Sequence, residues 1–258
     1  MRLHVHEWGD RDAPPLVCLH GVTGHGERYK QLAEERWASR FRVIAPDLRG
    51  HGRSDWEPPW DFATHVGDIL ETLDALGIGG ADWVGHSWGG RLVLEIAAAH
   101  PERVHRAVLL DPAIQILPHV ALHAAELERA DAVFASADAY ADRRGDGPDT
   151  PRELVLADAE LHCERLPDGT LRRRTSQAAV VSIYGELASA PPAPETLRAP
   201  TLLIHAPAYG LVRDDQLDAY AGRVEVQAVT GMHMVIWDAY DDVAAAVERF
   251  LEDPRAER

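Results

Sequence analysis

The sequence predicts an α/β fold, with a doubly wound, mostly parallel sheet and a mainly helical insertion. Two observations lead to this prediction. Short apolar runs alternate with segments that carry apolar residues at spacings of three and four along most of the 258-residue chain. Several of these runs are apolar at every position, which is typical of central parallel strands covered by helices on both faces.

Seven segments are predicted as strands, and most of them end at a polar or glycine-containing loop. The first alternates between apolar and polar residues, as a strand with one exposed face does. The next strands are more continuously apolar, so we expect them in the middle of the sheet. In chain order the predicted strands are 3–6, 16–19, 42–45, 82–84, 107–110, 201–204 and 224–226.

The gaps between these strands contain four segments with helical periodicity. Asp241 and Asp242 stand at the start of the last one, where the positive end of the helix dipole favours carboxylates. The strand–helix alternation on this scale predicts a doubly wound sheet. The predicted helices are 27–38, 61–76, 88–99 and 240–252.

Residues 114–195 break this alternation, because they contain no comparable series of strands. An alanine-rich helical stretch covers 121–141, and Asp168-Gly169 is a turn signal that predicts a small hairpin. A second helix is expected over about 174–188, before a stiff proline-rich linker. We therefore divide the chain into an α/β core, residues 1–113 and 196–258, and an insertion, residues 114–195.

The net charge of −16 and the apolar fraction of 46 % describe an acidic globular protein. Nucleic acids and anionic membrane surfaces attract basic proteins, so neither is an expected partner. The same charge favours neutral or weakly polar small-molecule substrates. The sequence has no run of 18 apolar residues and no apolar leader. We therefore expect a cytoplasmic protein that is a monomer or a homodimer.

A serine stands between two glycines after the fourth predicted strand, in the sequence Gly85-His86-Ser87-Trp88-Gly89. A nucleophile on a sharp strand-to-helix turn needs small flanking residues, because the strand and the helix come close together there. The alternative is a plain glycine-rich turn that happens to contain a serine. Since a predicted helix follows at once, we interpret Ser87 as a nucleophile.

Two further loops should meet Ser87, because ligands of open α/β sheets bind outside the carboxyl ends of the strands. His233 follows the last predicted strand, so it is the expected general base among the 14 histidines. His20-Gly21 follows the second strand, and the backbone amides of Val22 and Trp88 are expected to form an oxyanion hole. A solvated loop histidine and a simple strand-to-loop turn are the alternatives.

These motifs resemble those of the α/β-hydrolase family. The matching stretches occur in the family's order over nearly the whole chain: LVCLHGVTG (16–24), APDLRGHGRSD (45–55), WVGHSWGG (83–90), AVLLDPA (107–113), PTLLIHA (200–206) and GMHM (231–234). The resemblance implies serine-type hydrolysis. It also implies that residues 114–195 form a mobile helical cap over the site, and the cap largely sets substrate choice in this family.

The third member of the family's catalytic set is an acid that orients the histidine, and here the chain departs from the pattern. The loop after TLLIH, residues 206–210, contains no carboxylate and has Tyr209 at the expected place. Asp111 follows the preceding strand of the sheet and keeps the order serine, acid, histidine, so we favour it. Asp214 or Asp215 is the second choice. The cap residues Glu160 and Glu164 also remain open.

The expected reaction is hydrolysis of a small ester or lactone, without a metal or an organic cofactor. Cys18 and Cys163 have neither metal-binding nor redox spacing. Serine at position 87 argues against dehalogenase and epoxide hydrolase chemistry, which both use a carboxylate nucleophile. Carbon–carbon bond hydrolysis and aminopeptidase activity stay open. So does a small-molecule binder without turnover, because the usual acid is missing.

Overall fold

The computed structural model describes residues 1–130, 132–144 and 150–252. Within these residues, seven strands form one sheet in the order β1-β3-β2-β4-β5-β9-β10. The first strand pairs antiparallel with β3, and every other pair in this sheet is parallel. The predicted fold class is therefore confirmed. The strands of this sheet are β1 (Val5–Trp8), β2 (Pro15–Leu19), β3 (Arg42–Pro46), β4 (Ala81–His86), β5 (Val104–Leu110), β9 (Thr201–His205) and β10 (Glu225–Ala228).

Helices cover both faces of the sheet. The helix that begins after Asp61 is capped by this residue, whose side chain accepts a hydrogen bond from the Thr64 amide at 2.8 Å. The α-helices are α1 (Lys30–Leu32), α2 (Phe62–Ala75), α3 (Trp88–Ala99), α4 (Pro118–Ala130), α5 (Ala137–Arg144), α6 (Arg152–His162), α7 (Gln177–Leu187), α8 (Asp214–Ala219), α9 (Val235–Asp238) and α10 (Tyr240–Glu252).

Alternate residues of the strands fill two separate hydrophobic clusters. In β5, Ala107 and Leu109 belong to a cluster that includes side chains of α2 and α3. Val108 and Leu110 belong to a second cluster that includes side chains of α10. The central strands are apolar at consecutive positions because both of their faces are buried in this way.

The helix expected over 27–38 is wound irregularly. It begins as a 3-10 turn (Gly26–Tyr29), continues as α1 and ends as a π-helix (Ala33–Trp37). Tyr29 and Trp37 are both buried in the second cluster. With this change of winding, both large aromatic side chains lie on the side that faces the sheet. The periodicity of the sequence alone did not indicate the change of winding.

The chain leaves the large sheet after β5 and returns to it at β9, its direct neighbour. We call residues 111–200 the interstrand segment. It contains α4 to α7 and a small antiparallel sheet in the order β6-β8-β7, formed by β6 (Val133–Phe134), β7 (Cys163–Arg165) and β8 (Leu171–Arg173). The hairpin expected at Asp168-Gly169 is present as β7 and β8. Part of the helical stretch expected over 121–141 is interrupted by β6, and residue 131 lies outside the described residues.

The interstrand segment has a small hydrophobic cluster of its own, which includes Phe134, Tyr140 and Val155. One of its helices is shared with the core, because Val180 and Ile183 of α7 pack into the first cluster of the large sheet. Cys18 and Cys163 are buried and free. None of the helices in the described residues is long and apolar enough to cross a membrane.

One histidine is buried in the core without a polar partner. His65 of α2 is 1 % exposed, and neither ring nitrogen makes a hydrogen bond within the described residues. Its ring contacts the indole of Trp88 edge-on, with 4.7 Å between ring centroids. Burial, together with the charge of nearby His51, lowers the pKa of His65 to about 3. The neutral ring is therefore the form that the core accepts.

We predict that His65→Leu makes stability less sensitive to acid. The folded pKa lies below the unfolded value, so the contribution of His65 to stability is complete above about pH 6.5 and is lost as the pH falls toward 3. When the pH is lowered from 8 to 5.5, the free energy of unfolding of the variant should rise by about 1 kcal/mol relative to that of wild type. Chemical denaturation at the two pH values measures this difference.

The matched control is His119→Gln, at an exposed position. It should keep the wild-type dependence of unfolding on pH. If the free energies of unfolding of His65→Leu and wild type differed by the same amount at pH 8 and at pH 5.5, His65 would not be held neutral in the folded protein.

Candidate active site

Ser87 stands at the sharp turn from β4 into α3, with φ 55° and ψ −118°. Positive φ is unusual for a residue with a side chain and costs free energy unless the surroundings fix it. Two hydrogen bonds hold the turn: the Ser87 amide donates to the Leu110 carbonyl at 2.9 Å, and the Ala113 amide donates to the Ser87 carbonyl at 3.0 Å. The serine is thus tied to the chain that follows β5.

The flanking glycines are required by close packing of the backbone. A Cβ on Gly89 would lie 2.6 Å from the carbonyl carbon of Leu19, at the end of β2. A Cβ on Gly85 would lie 2.6 Å from the amide nitrogen of Gly90. These distances are too short for any side chain. The glycine spacing therefore reflects the approach of α3 to the neighbouring strands, as expected from the sequence.

His233 joins the serine to an acid. Its Nε2 lies 2.9 Å from Ser87 Oγ, and its Nδ1 lies 2.6 Å from Asp111 Oδ2. An ionised carboxylate only accepts hydrogen bonds, so Nδ1 carries the proton and Nε2 is the acceptor for the serine hydroxyl. Such an arrangement can take a proton from a serine and return it to a leaving group.

Asp111 is the acid that the structure places beside the histidine. It is fully buried, has φ 39°, and its Oδ1 accepts a hydrogen bond from the Ala206 amide at 3.1 Å. The other acidic residues considered from the sequence make different contacts. Asp215 pairs with Arg213, while Glu160 and Glu164 pair with arginines of the interstrand segment. Asp214 stands beside Asp215 in the first turn of α8.

Tyr209 occupies the loop in which the sequence pattern would place the acid. Its ring stacks on the His233 imidazole, with 4.7 Å between centroids and 13° between planes. The phenol is 45 % exposed. The loop after β9 therefore contacts the histidine through an aromatic face instead of a carboxylate.

Of the two amides expected to bind an oxyanion, one belongs to a residue of the cavity wall and the other belongs to the residue directly after Ser87. Val22 lines the same cavity as Ser87, on the loop after β2. Trp88 is the first residue of α3, where a backbone N–H has no acceptor within the helix. A Cβ on Gly21 would lie 3.2 Å from Ser87 Cβ, so this loop packs directly against the serine.

Three histidines support these loops through hydrogen bonds to distant parts of the chain. His20 Nε2 accepts from the Leu48 amide at 3.0 Å, so its Nδ1 carries the proton and donates to the Gly21 carbonyl at 2.8 Å. His51 Nε2 donates to the Val22 carbonyl. His20 and Leu48 lie 28 positions apart in the sequence, and His51 and Val22 lie 29 positions apart. The sequence pattern does not indicate pairs that are so far apart.

His86 is the third supporting histidine. It is the last residue of β4 and directly precedes Ser87. Its Nε2 donates to the backbone carbonyl of His233 at 2.8 Å. Burial and the neighbouring His233 hold the pKa of His86 well below its usual range, so the ring is neutral. His86 therefore fixes the main chain of the loop that carries His233.

Ser87 and His233 open into a cavity of about 170 Å³. The loop after β2 and the interstrand segment form much of its wall. The apolar part includes Ile116, Val120, Leu187, Leu211 and Met234, and the polar part includes Thr23, Arg28, Glu128, Arg144 and Tyr184.

One cluster of potential metal ligands occurs in the described residues, formed by His4, His6 and Asp47. The Asp47 carboxylate already accepts hydrogen bonds from the Gly26 and Arg53 amides at 2.8 Å and 2.9 Å. None of the three lines the cavity of Ser87.

Comparison with known proteins agrees with this architecture. A family model described as the alpha/beta hydrolase fold matches residues 14–239. The protein belongs to the α/β-hydrolase fold family.

Individual relatives have different activities. Lipase LipV of Mycobacterium tuberculosis is 37 % identical over 194 residues, which cover 72 % of this chain and 71 % of the lipase. A putative non-heme haloperoxidase of Mycobacterium phage D29 is 45 % identical over 100 residues, 38 % of this chain and 36 % of that protein. The crystal structure of E-2-(acetamidomethylene)succinate hydrolase superposes with a TM-score of 0.85 at 28 % identity, covering 97 % of this chain and 95 % of that one.

The turn at Ser87 yields a prediction about stability. Gly89→Ala should destabilise the protein by about 1–3 kcal/mol, because the new Cβ meets the backbone of β2 and forces strand and helix apart. Gly67→Ala is the matched control. Gly67 also lies in a helix, has φ below zero and has open space around it, so this variant should gain about 0.5–1 kcal/mol. Thermal unfolding of both variants measures the contrast, and equal effects would contradict it.

Proposed function

We propose that this protein is a serine hydrolase that cleaves carboxylic esters or lactones through an acyl-enzyme on Ser87. The observation that carries the proposal is the hydrogen-bonded chain from the Ser87 hydroxyl through His233 to the buried carboxylate of Asp111. A serine hydroxyl is a weak nucleophile until a neighbouring base takes its proton. Here an oriented base lies within hydrogen-bonding distance.

In the first half of the reaction, Ser87 Oγ attacks the ester carbonyl while His233 Nε2 takes the hydroxyl proton. The Asp111 carboxylate accepts the hydrogen bond from Nδ1 and stabilises the imidazolium. The amides of Val22 and Trp88 bind the oxyanion, and each such donor typically contributes about 3 kcal/mol to the transition state. His233 then gives its proton to the departing alkoxide oxygen, which leaves as an alcohol.

In the second half, a water molecule attacks the acyl-enzyme and gives a proton to His233 Nε2. Collapse of the second tetrahedral intermediate releases the acid, and the proton returns to Ser87 Oγ. With a lactone the alcohol stays attached to the acyl chain, so the product is one hydroxy acid. No step needs a metal or an organic cofactor.

We also propose that residues 114–195 act as the cap of this site. The support is their contribution to the cavity wall, with Ile116, Val120 and Glu128 from one part and Tyr184 and Leu187 of α7 from another. A cavity of about 170 Å³ is below the roughly 300–1,000 Å³ of typical ligand pockets. We therefore expect a small substrate with a short acyl chain.

The first test is hydrolysis of p-nitrophenyl esters of increasing acyl length, alongside a panel of lactones. Wild type should turn over acetate to butyrate esters faster than octanoate, because the cavity is small. Ser87→Ala should lose activity by about 10⁴-fold or more, since it removes the nucleophile. Labelling of Ser87 by a fluorophosphonate provides an independent readout. Absence of both turnover and labelling would favour a binder without catalysis.

The second test concerns the acid. Asp111→Asn should lower kcat by about 10⁴-fold, because an amide stabilises the wrong tautomer of His233. Asp215→Asn is the matched control, since this residue pairs with Arg213 and should keep wild-type kcat. A small loss of kcat in Asp111→Asn would mean that Asp111 is not the acid of the mechanism. A large loss of kcat in Asp215→Asn would assign the role of the acid to α8.

A further inference from the structure

The loop that follows β2 carries the Val22 amide, one of the two amides expected to bind the oxyanion. We call residues 20–28 the β2 loop. In the first part of this loop, the rings of His20 and His51 donate to backbone carbonyls. Side chains farther along the loop contact the interstrand segment, at residues between 121 and 133 positions further along the chain. The core and the interstrand segment therefore meet at this loop.

Asp158 of α6 binds two side chains of the β2 loop. It is buried, and Arg28 donates to its two carboxylate oxygens from Nε and Nη2, at 2.8 Å and 2.9 Å. His25 Nε2 donates to Oδ1 of the same carboxylate at 2.8 Å. The hydroxyl of Tyr140, on α5, donates to Oδ2. One carboxylate thus joins the loop to both α5 and α6.

The Asp158 carboxylate is ionised although it is buried. Burial raises its pKa, but the charge of Arg28 and the hydrogen bonds from Arg28 and His25 outweigh burial and hold the pKa well below its usual range. Removing one partner of a buried ion pair leaves an uncompensated charge and is strongly destabilising. Moving the β2 loop away from α6 would expose the protein to this cost, so the contact restrains the loop.

A second contact with the interstrand segment lies closer to Val22. Nη2 of Arg144, the last residue of α5, donates to the hydroxyl of Thr23, which directly follows Val22 in the sequence. Nη1 of the same guanidinium donates to Glu128 of α4 at 2.7 Å. Arg144 therefore connects two helices of the interstrand segment to the neighbour of the residue whose amide is expected to bind the oxyanion.

Ring contacts restrain the same side chains of the β2 loop. His162, the last residue of α6, stacks on His25, with 4.7 Å between ring centroids and 11° between planes. The Arg28 guanidinium lies over the indole of Trp237, 5.5 Å from the ring centroid. Trp237 belongs to α9, the helix that follows the loop with His233. Arg28 thus contacts both the interstrand segment and the part of the core that carries His233.

We propose that Asp158 and Arg144 are positioning residues, and that their contacts with the β2 loop fix the Val22 amide for binding the oxyanion. The inference rests on the proposed function and makes its rate depend on docking of the interstrand segment. Donors that are already in place stabilise a transition state without reorganising during the reaction. A displacement of about 1 Å can cost about 10²-fold in rate, so loss of these contacts slows the chemical step.

The test compares p-nitrophenyl acetate with its thionoester, in which sulfur replaces the carbonyl oxygen. A sulfur anion is larger and accepts hydrogen bonds more weakly, so amides placed for an oxyanion favour the ester. Each kcat/KM is divided by the rate constant for hydrolysis of the same compound by hydroxide, which removes the difference in intrinsic reactivity. We call the ratio of the two quotients the oxygen preference, and wild type should show an oxygen preference of about 10².

Asp158→Asn should lower kcat/KM for the ester by about 10-fold or more and leave the thionoester nearly unchanged, so the oxygen preference falls. A loss of folded protein would slow both substrates by the same factor. An equal loss for the ester and the thionoester in this variant would therefore assign Asp158 to folding alone, and the inference would be wrong.

Thr23→Val tests the second contact and remains available if Asp158→Asn does not fold. It removes the hydroxyl that accepts from Arg144 and keeps nearly the same side-chain shape. The oxygen preference should fall in Thr23→Val, and Thr23→Ser should retain more of it because the hydroxyl is kept. A wild-type oxygen preference in Thr23→Val would contradict the role of Arg144.

Arg152→Gln is the matched control. Arg152 belongs to α6, as Asp158 does, but it is half exposed and pairs with Asp138 and Asp142. It lies outside the described wall of the cavity beside Ser87. This variant should keep both the wild-type rate and the wild-type oxygen preference. A fall of the oxygen preference in Arg152→Gln as large as that in Asp158→Asn would mean that the effect does not come from the contacts with the β2 loop.

The wild-type measurement separates this inference from the proposed function. Wild type that hydrolyses both compounds without an oxygen preference would show that the Val22 amide does not bind the oxyanion. This result would overturn the inference and leave Ser87 as the nucleophile. Failure of wild type to hydrolyse either compound, together with failure of Ser87 to react with a fluorophosphonate, would remove the proposed function itself.

Discussion

The close contact between the start of α3 and the end of β2 is the constraint on which the rest of the site depends. Gly89 packs against the backbone at Leu19, and this approach brings the loop with Val22 beside Ser87. The same turn is hydrogen-bonded to the chain after β5, which carries Asp111. One packing arrangement of backbone atoms therefore positions the serine, the loop that carries the Val22 amide and the acid relative to each other.

The parallel sheet could be predicted from the sequence because its pattern is local. A strand buried on both faces must be apolar at consecutive positions, and β2, β5 and β9 carry this pattern. The meeting of Ser87, Asp111 and His233 could be anticipated for a related reason. Each follows a strand, and the carboxyl ends of parallel strands meet at one edge of the sheet.

Other parts of the site had no local pattern to predict them. The support of His233 by His86 joins residues 147 positions apart, and the pair of Arg28 and Asp158 joins residues 130 positions apart. Bulk composition does not show which charges line the cavity. The chain is acidic as a whole, and the cavity wall contains Arg28, Arg144 and Glu128.

Tyr209 has a consequence for the behaviour of the histidine. Its ring lies nearly parallel to the His233 imidazole, and the ring of His86 lies 4.7 Å away from the same imidazole. With Asp111 and Ser87 at its two nitrogens, the imidazole cannot turn over about its Cβ–Cγ bond without breaking these contacts. In the proposed mechanism, the imidazole therefore has little rotational freedom to lose when the transition state forms, which lowers the entropic part of the activation barrier before any substrate arrives.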